Sequence, residues 1–444
     1  MTGFVGGDVE QLVALAKRVE LQSRKFGEIA ASSSVALMVA EWTGADIDRI
    51  RGEWNRQFKP AMQRMSANLA ALAIELRKQG EQQFVASTAG ASRPLSAREQ
   101  RIYDAALKNP KTLQSLTQEE VAAFWSELSP AQKQVLMQKD SLTIGNLNGI
   151  PFEDRADANQ ITAARRLNES DLSSEESAYL QAVVNPPPGT DRIRLAVYDR
   201  ENDRLVEMVG HATDTTTTYV TYVPGTDTSM DSLYRGDSQQ IARYLTEKDP
   251  NTVVFVYKDG KFPADIIQAR DRSFAVNNSA RLSEFQHAVD LEATPQARTV
   301  AIGHSWGLAD ITYAEQKGAH YDEVISLSGA YMPPDWEPST ETEYSHYVYA
   351  LDVLGDAQRT GVVGHSLPTT DSAFRQHVYA DEADTKLVED FVDKSRIPII
   401  GPYAALKDSF EIVDRSFSNH ERISSTDLGN RKVLEDVRRD VYAS

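Results

Sequence analysis

Residues 303–307, Gly-His-Ser-Trp-Gly, have the residue types and spacing of a serine nucleophile held at a tight turn. In the pattern Gly-x-Ser-x-Gly, small flanking residues let the chain pass abruptly from a strand into a helix and expose the serine hydroxyl. The apolar run 299–302 predicts that strand, and residues 307–318 predict the helix. We therefore predict that Ser305 is a nucleophile; the alternative interpretation is a strand-to-helix turn without chemistry.

A serine hydroxyl is a weak nucleophile, so it needs a base, and the base needs an acid that orients it. Where such a turn joins a strand of an open parallel sheet to a helix, the catalytic residues follow one another in the chain as serine, acid, histidine. The histidines after Ser305 are His320, His346, His365, His377 and His420. The first two come before the expected acid in the chain and fit this order poorly. We favour His420, which lies in a polar stretch before the final helix, over His377 and His365.

The acid is expected after the apolar run 346–353, where two carboxylates compete. Asp352 lies within this run, whereas Asp356 lies just past it, after Gly355. Catalytic groups collect at the carboxyl ends of strands in open sheets of this kind. We therefore favour Asp356 as the acid and keep Asp352 as the alternative.

The oxyanion formed by attack of a serine needs hydrogen-bond donors that are already in place. The backbone N–H of Trp306, directly after Ser305, is the first predicted donor. A second loop, Pro224-Gly225-Thr226, follows an apolar strand run. Gly225 permits close approach of the backbone, and we predict the Thr226 N–H as the second donor. The alternative interpretation of this loop is an ordinary Pro-Gly turn.

Composition narrows the classes of function. The chain has 444 residues and a net charge of −18, which disfavours nucleic acid and anionic membranes as partners. It has no cysteine, which excludes disulfides and thiol catalysis. We find no Gly-x-Gly-x-x-Gly, Walker A or His-Glu-x-x-His pattern, and we therefore predict no cofactor and no metal. No apolar run is long enough to predict a transmembrane segment, and a Sec-type signal is not expected at the N-terminus.

The N-terminal region, residues 1–90, is predicted to be a helical hairpin. Apolar residues recur at steps of three and four over 8–40 and over 45–83, which predicts two amphipathic helices. Gly44 is expected to end the first helix. Pro60 is expected to kink the second, because proline lacks the N–H that the helix needs.

The remainder of the chain divides into two predicted regions. Residues 91–185 predict a helical connector that packs on the domain after it. Past a stiff Pro-Pro-Pro segment, residues 186–444 contain short β-branched runs that alternate with helix-length stretches. That alternation predicts a mostly parallel twisted sheet flanked by helices, the architecture of an α/β hydrolase.

The N-terminal hairpin, with Trp42-Thr43-Gly44 between its helices, resembles the WXG100 (ESAT-6-like) family. Members of that family pair into four-helix bundles and travel through type VII secretion. The resemblance implies a small helical partner protein of the same kind. It also implies a secreted or envelope-associated location reached by a Sec-independent route; the alternative is a cytoplasmic protein. No Tyr-x-x-x-Asp/Glu export signal follows the second helix, so export would rely on a signal in a partner chain.

The region from about residue 120 onward resembles the actinobacterial α/β-hydrolase family once catalogued as domain of unknown function 1023. The matching segments are LTIGNLNGIPFEDRADANQ (142–160), YVPGTDTS (222–229), GHSWG (303–307) and the late His420. The resemblance implies an α/β-hydrolase fold with Ser305 as nucleophile. It also implies that the Val-Pro-Gly loop flanks the oxyanion site.

From the sequence we predict a serine hydrolase, similar to an esterase or lipase, that uses a Ser-His-Asp triad. The predicted substrate is an ester or lipid-like small molecule with an acyl bond. The alternative is a secreted binding or structural effector that uses an inactive hydrolase scaffold, since a fold does not determine a function.

Overall fold

The computed structural model describes residues 45–69, 94–187, 190–352, 366–381, 384–387 and 401–443, with scattered positions between 15 and 37 and positions 72 and 76. The chain divides into two compact units, residues 1–96 with 127–133 and residues 97–126 with 134–444. The candidate catalytic residues belong to the second unit.

In the first unit, a helix is interrupted just before Pro60. Helix α1 spans Ala45–Glu53, a π-helical turn spans Trp54–Phe58, and residues 59–69 are again helical. Proline cannot donate an N–H, and its ring crowds the carbonyl four residues earlier. A wider π turn relieves this conflict. The irregularity predicted at Pro60 therefore takes the form of a π segment.

Hydrogen bonds join the two N-terminal helical stretches in antiparallel order. Ser23 Oγ donates to the Ser66 carbonyl at 2.8 Å, and Ser66 Oγ donates to the Ser23 carbonyl at 2.9 Å. Trp54 Nε1 donates to Ser34 Oγ at 3.0 Å. Residues 42–44 lie outside the described residues, so the complete hairpin and its WXG100 assignment stay predictions.

One sheet organises the second unit. Its strands are β1 Arg194–Asp199, β2 Arg204–Val209, β3 Thr218–Val223, β4 Thr252–Asp259, β5 Arg298–His304, β6 Glu323–Leu327, β7 Glu343–Tyr349 and β8 Arg375–Tyr379. Their order is β1-β2-β4-β3-β5-β6-β7-β8. Strand β2 runs antiparallel to β1 and β4, and the pairs from β4 to β8 are parallel. The carboxyl ends of β3, β5 and β7 therefore lie along one edge.

Helices cover this sheet. Those before it are α2 Ala97–Lys108, a 3₁₀ turn Pro110–Ser115, α3 Gln118–Glu127, α4 Pro130–Lys139, α5 Ser141–Gly145, α6 Phe152–Arg166 and α7 Ser174–Val184. Those within and after it are α8 Met230–Arg235, α9 Gln240–Lys248, α10 Ile266–Ala269, α11 Ser273–Glu292, α12 Gly307–Glu315, α13 Gly401–Arg422, a 3₁₀ turn Leu428–Asn430 and α14 Arg431–Val441. None of the helices in the described part of the chain is long and apolar enough to span a bilayer.

The central strands are buried on both faces, as expected of a parallel sheet between two helical layers. On one face, Phe255 of β4 packs against Phe152 of α6 and Phe285 of α11, with ring centroids 4.5 and 5.1 Å apart. On the other face, Leu245 of α9 and Leu434 of α14 join the core. The predicted mostly parallel sheet flanked by helices is confirmed, and the connector helix α6 packs directly on it.

Strands β2 and β8 are not evident from the sequence pattern. Strand β2 carries Glu207, which is buried and accepts hydrogen bonds from Tyr179 Oη at 2.7 Å and Gln239 Nε2 at 2.8 Å. Glu207 interrupts the apolar pattern expected of a buried strand, and hydrogen bonds from distant residues compensate for its burial. Strand β8 lies at the sheet edge and is largely exposed, so it lacks an apolar run.

Candidate active site

Ser305 lies at a strained turn between β5 and α12. Its φ is +52°, a left-handed conformation that costs free energy for a residue with a side chain. Its N–H donates to the Leu327 carbonyl at 3.0 Å, and its own carbonyl accepts from the Ala330 N–H at 2.9 Å. Backbone hydrogen bonds from the end of β6 and the loop after it therefore hold the serine in this conformation.

The two glycines of the turn leave no room for side chains. A Cβ on Gly303 would lie 2.6 Å from the Leu308 backbone nitrogen, and one on Gly307 would lie 2.1 Å from the Val223 carbonyl oxygen. Both contacts are far shorter than real Cβ atoms make with backbone. The spacing of small residues around Ser305 is thus a steric requirement of this turn.

The predicted oxyanion loop lies directly beside the serine. A Cβ on Gly225 would stand 3.0 Å from the Ser305 Cβ, so the backbone approaches closely there. Thr226 and Ser305 line one cavity of about 280 Å³. Among the contacts of the described residues, neither the Thr226 nor the Trp306 backbone N–H has a hydrogen-bond partner. Both predicted donors therefore keep an N–H free for a ligand oxygen.

His420 and Asp352 form a buried pair. His420 Nδ1 lies 3.2 Å from Asp352 Oδ1 and 3.3 Å from Oδ2. The carboxylate also accepts a hydrogen bond from Ser328 Oγ at 2.8 Å. Since an ionised carboxylate only accepts, the Nδ1 of His420 carries the proton. Nε2 is then the ring nitrogen available to accept a proton.

Asp352 lies beyond the strand, where a catalytic acid is expected. Strand β7 ends at Tyr349, although the apolar sequence continues to residue 353. The preference for Asp356 assumed that the strand extended through this run. Asp356 lies outside the described residues.

His420, the predicted base, lies at the end of a helix and not in the polar loop that the sequence suggested. His420 is in the last turn of α13. Asn419 Nδ2 donates to the Leu351 carbonyl at 2.9 Å and to Asp384 Oδ2 at 2.6 Å. Arg415 Nε donates to Asp384 Oδ1 at 2.5 Å. These side chains therefore anchor α13 to Leu351, next to Asp352, and to Asp384, which follows β8.

The other histidine candidates make their contacts elsewhere. His346 Nδ1 is 2.8 Å from Ser326 Oγ, and His377 stacks on Tyr347 with ring centroids 4.3 Å apart. His320 is half-exposed, 3.7 Å from a carboxylate oxygen of Glu341. His365 lies outside the described residues.

His304, directly before the nucleophile, was not considered in the sequence analysis. One ring nitrogen, Nε2, lies 2.9 Å from the His420 carbonyl oxygen and must donate to it, because a carbonyl only accepts. Burial, followed by the nearby His420, lowers the pKa of His304 to about 4. His304 is thus a neutral Nε2–H tautomer that joins the Ser305 turn to the end of α13 at His420. Its place next to Ser305 in the sequence was the available signal.

The hydroxyl of Ser305 makes no hydrogen bond to a described side chain. Within the described part of the chain, it shares no hydrogen bond with His420 or with any other side chain, and Ser305 is only 4% exposed. Catalytic hydrogen bonds are often long without substrate and tighten when it binds. The arrangement is compatible with a nucleophile that engages its base on binding.

Trp306 points away from the cavity. Its side chain is fully buried and packs on Phe262, with ring centroids 4.8 Å apart. It is absent from the residues that line the cavity. Its bulk therefore fills the core and does not narrow the cavity beside Ser305.

Across the described residues, no group of three or more histidines and carboxylates is placed to hold a metal ion. The expectation that the chain needs no metal and no cofactor stays a prediction. The groups collected around Ser305 are side chains and backbone amides suited to acyl transfer.

No family model matches the chain, and no curated protein matches it. Solved structures do match: Francisella virulence factor BioJ is 14% identical over 67% of this chain and 98% of its own, with a TM-score of 0.28. Esterase B from Lactobacillus Rhamnosis is 10% identical over 60% of this chain and 97% of its own, with a TM-score of 0.30. The dienelactone hydrolase-like promiscuous phosphotriesterase P91 is 14% identical over 48% and 91%, with a TM-score of 0.25.

The packing of the turn predicts the cost of adding one methyl group. Gly307→Ala should lower the free energy of unfolding by about 3 kcal/mol or more, because the backbone at Val223 must move. Gly318→Ala is the matched control, since Gly318 has φ +96° and nothing within 4 Å, and should cost about 1–2 kcal/mol. Urea unfolding measures both, and equal costs would contradict the packing described.

Burial of His304 predicts a change in the pH dependence of stability. Its folded pKa lies below the unfolded value of about 6.5, so the unfolded state binds more protons and stability falls as pH drops from 6.5 toward 4. His304→Ala should flatten the slope of unfolding free energy against pH by up to about 1.4 kcal/mol per unit in that window. The exposed His320→Ala should leave the slope unchanged. An unaltered slope in His304→Ala would contradict the burial of a neutral ring.

Proposed function

We propose that this chain is a serine hydrolase that cleaves an ester or related acyl bond with Ser305, His420 and Asp352 as its triad. One observation carries the proposal: a strained, buried serine shares a cavity with Thr226, and the backbone N–H groups of Thr226 and Trp306 have no partner among the described residues. A histidine oriented by a carboxylate lies beside the turn. Nucleophile, base, acid and oxyanion donors are the parts that acyl transfer needs.

The first half of the reaction transfers the acyl group to the enzyme. His420 Nε2 takes the proton from Ser305 Oγ as that oxygen attacks the carbonyl carbon. Asp352 holds the Nδ1–H and stabilises the imidazolium, and the N–H groups of Trp306 and Thr226 donate to the oxyanion. The imidazolium then protonates the leaving alcohol as the ester C–O bond breaks.

The second half releases the acyl group to water. His420 removes a proton from water, which attacks the acyl-serine, and the oxyanion again accepts from the Trp306 and Thr226 amides. Collapse of the intermediate returns the proton to Ser305 Oγ and frees a carboxylic acid.

We assign the acid role to Asp352 in preference to Asp356. Asp352 is buried, contacts His420 Nδ1 and accepts from Ser328, so its position relative to the ring is determined by packing. The preference for Asp356 rested on a strand that extends further than β7 does.

We propose that the N-terminal helices form a WXG100-like module that binds a small helical protein and links the hydrolase to type VII secretion. The resemblance around residues 42–44 and the antiparallel contacts of Ser23 with Ser66 support it. Size-exclusion mass, measured alone and with a small helical protein encoded beside it, tests the module: a stoichiometric complex supports it, and no complex contradicts it.

The rival function is a binding or structural effector with an inactive hydrolase scaffold. The observation that favours it is the missing hydrogen bond between Ser305 and His420. A scaffold would bind a ligand in the Ser305 cavity without turning over any ester, which separates it from the enzyme.

Variants of the two carboxylates test the triad. Hydrolysis of p-nitrophenyl acetate should vanish in Ser305→Ala. Asp352→Asn should lower kcat on the order of 10³–10⁴-fold, because the amide favours the wrong tautomer of His420. Asp356→Asn is the matched control and should stay near the wild-type rate.

Thermal unfolding of each variant separates loss of catalysis from loss of fold. A large loss in Asp356→Asn with a normal rate in Asp352→Asn would show that the acid is wrongly assigned. Turnover that persists in a folded Ser305→Ala would overturn the hydrolase proposal.

A further inference from the structure

The cavity beside Ser305 is small and mainly polar. It measures about 280 Å³ and lies among the loop after β3, helix α8 and the end of α13. Its lining includes hydroxyls from Thr226, Thr228, Ser238 and Ser424, and apolar surface from Tyr222 and Pro224. A long acyl chain gains its binding free energy from apolar walls. This lining therefore favours a short, hydrophilic substrate.

The charged side chains of the same cavity leave an excess of negative charge. Arg235 Nε lies 2.9 Å from Asp237 Oδ2, so these two charges compensate each other. Asp227 and Glu421 also line the cavity, and neither has an ion-pair partner in the part of the chain that the structure describes. Two uncompensated carboxylates thus face the space where a substrate of Ser305 would bind.

A buried group marks this space as a binding site. Ser305 is 4% exposed, lines the cavity, and its hydroxyl has no hydrogen-bond partner among the described residues. Its hydroxyl opens into the cavity and makes no hydrogen bond with a described residue that would compete with a ligand there. The carboxylates and the nucleophile therefore face the same ligand.

We infer that the substrates of this site are short esters that carry a positive charge on the alcohol or acyl part. The inference rests on the proposed hydrolase function and specifies its substrate class. Asp227 and Glu421 would pair with the cation while the ester carbonyl meets Ser305. Water cleaves the ester C–O bond and yields a carboxylate, an alcohol and a proton. The cationic group stays on whichever product carried it in the ester.

The size of the effect follows from the exposure of the carboxylates. Each exposed ion pair changes affinity by no more than a few-fold. Two carboxylates together therefore predict a preference of about tenfold for the cationic substrate over a neutral one of equal shape. The preference should shrink as salt screens the charges.

Two esters of matched shape test the inference on the full-length chain. Acetylcholine carries a quaternary ammonium, and 3,3-dimethylbutyl acetate replaces that nitrogen with carbon. The ratio of kcat/KM, cationic over neutral, should be about ten for the wild type. It should fall toward one in the double variant Asp227→Asn/Glu421→Gln. Asp214→Asn is the control and should keep the wild-type ratio. Asp214 is exposed and precedes β3, whereas the cavity lies beyond the carboxyl end of that strand.

The outcomes separate the two proposals. Hydrolysis of both esters at equal efficiency, or a preference for the neutral ester, would overturn the charge inference and leave the hydrolase function standing. A preference that survives in the double variant would also overturn it. Hydrolysis of neither ester, together with none of p-nitrophenyl acetate, would overturn the hydrolase function and this inference with it.

Discussion

Gly307 packs so closely on the end of β3 that a Cβ would stand 2.1 Å from the Val223 carbonyl oxygen. This contact places the start of α12 against the strand that leads into the Pro224-Gly225-Thr226 loop. The proposed nucleophile and the proposed oxyanion donor therefore depend on the same backbone contact, although about 80 residues separate them in sequence. Side chains larger than hydrogen are therefore excluded both at the turn and at Gly225 of the loop.

Burial also fixes the positions of the histidines and the carboxylate near Ser305. His420, Asp352 and His304 are each at most 5% exposed, so their hydrogen bonds cannot be exchanged with bulk water. Asp352 orients the His420 ring through Nδ1, and neutral His304 holds the His420 backbone. Low dielectric surroundings strengthen such contacts and penalise any unpaired charge. The cavity beside Ser305 differs from these buried surroundings, because Asp227 and Glu421 line it.

Local patterns predicted the parts of the site that depend on local geometry. The Gly-x-Ser-x-Gly turn and the Pro-Gly loop require small residues at fixed spacing, and the structure brings Ser305 and Thr226 to one cavity. The end of β7 was not predictable from the run 346–353, because strand length there depends on pairing with β6 and β8. The contacts of His304, Asn419 and Arg415 were not predictable either, because their partners lie far along the chain.

The central claim is that Ser305 is an activated nucleophile, and a fluorophosphonate probe measures this most directly. Folded protein should form one covalent adduct, mapped by mass spectrometry to Ser305. Labelling should slow by about 10²-fold or more in His420→Ala, because the base is lost while the serine remains. Absence of an adduct, or equal labelling of folded and urea-unfolded protein, would contradict the claim.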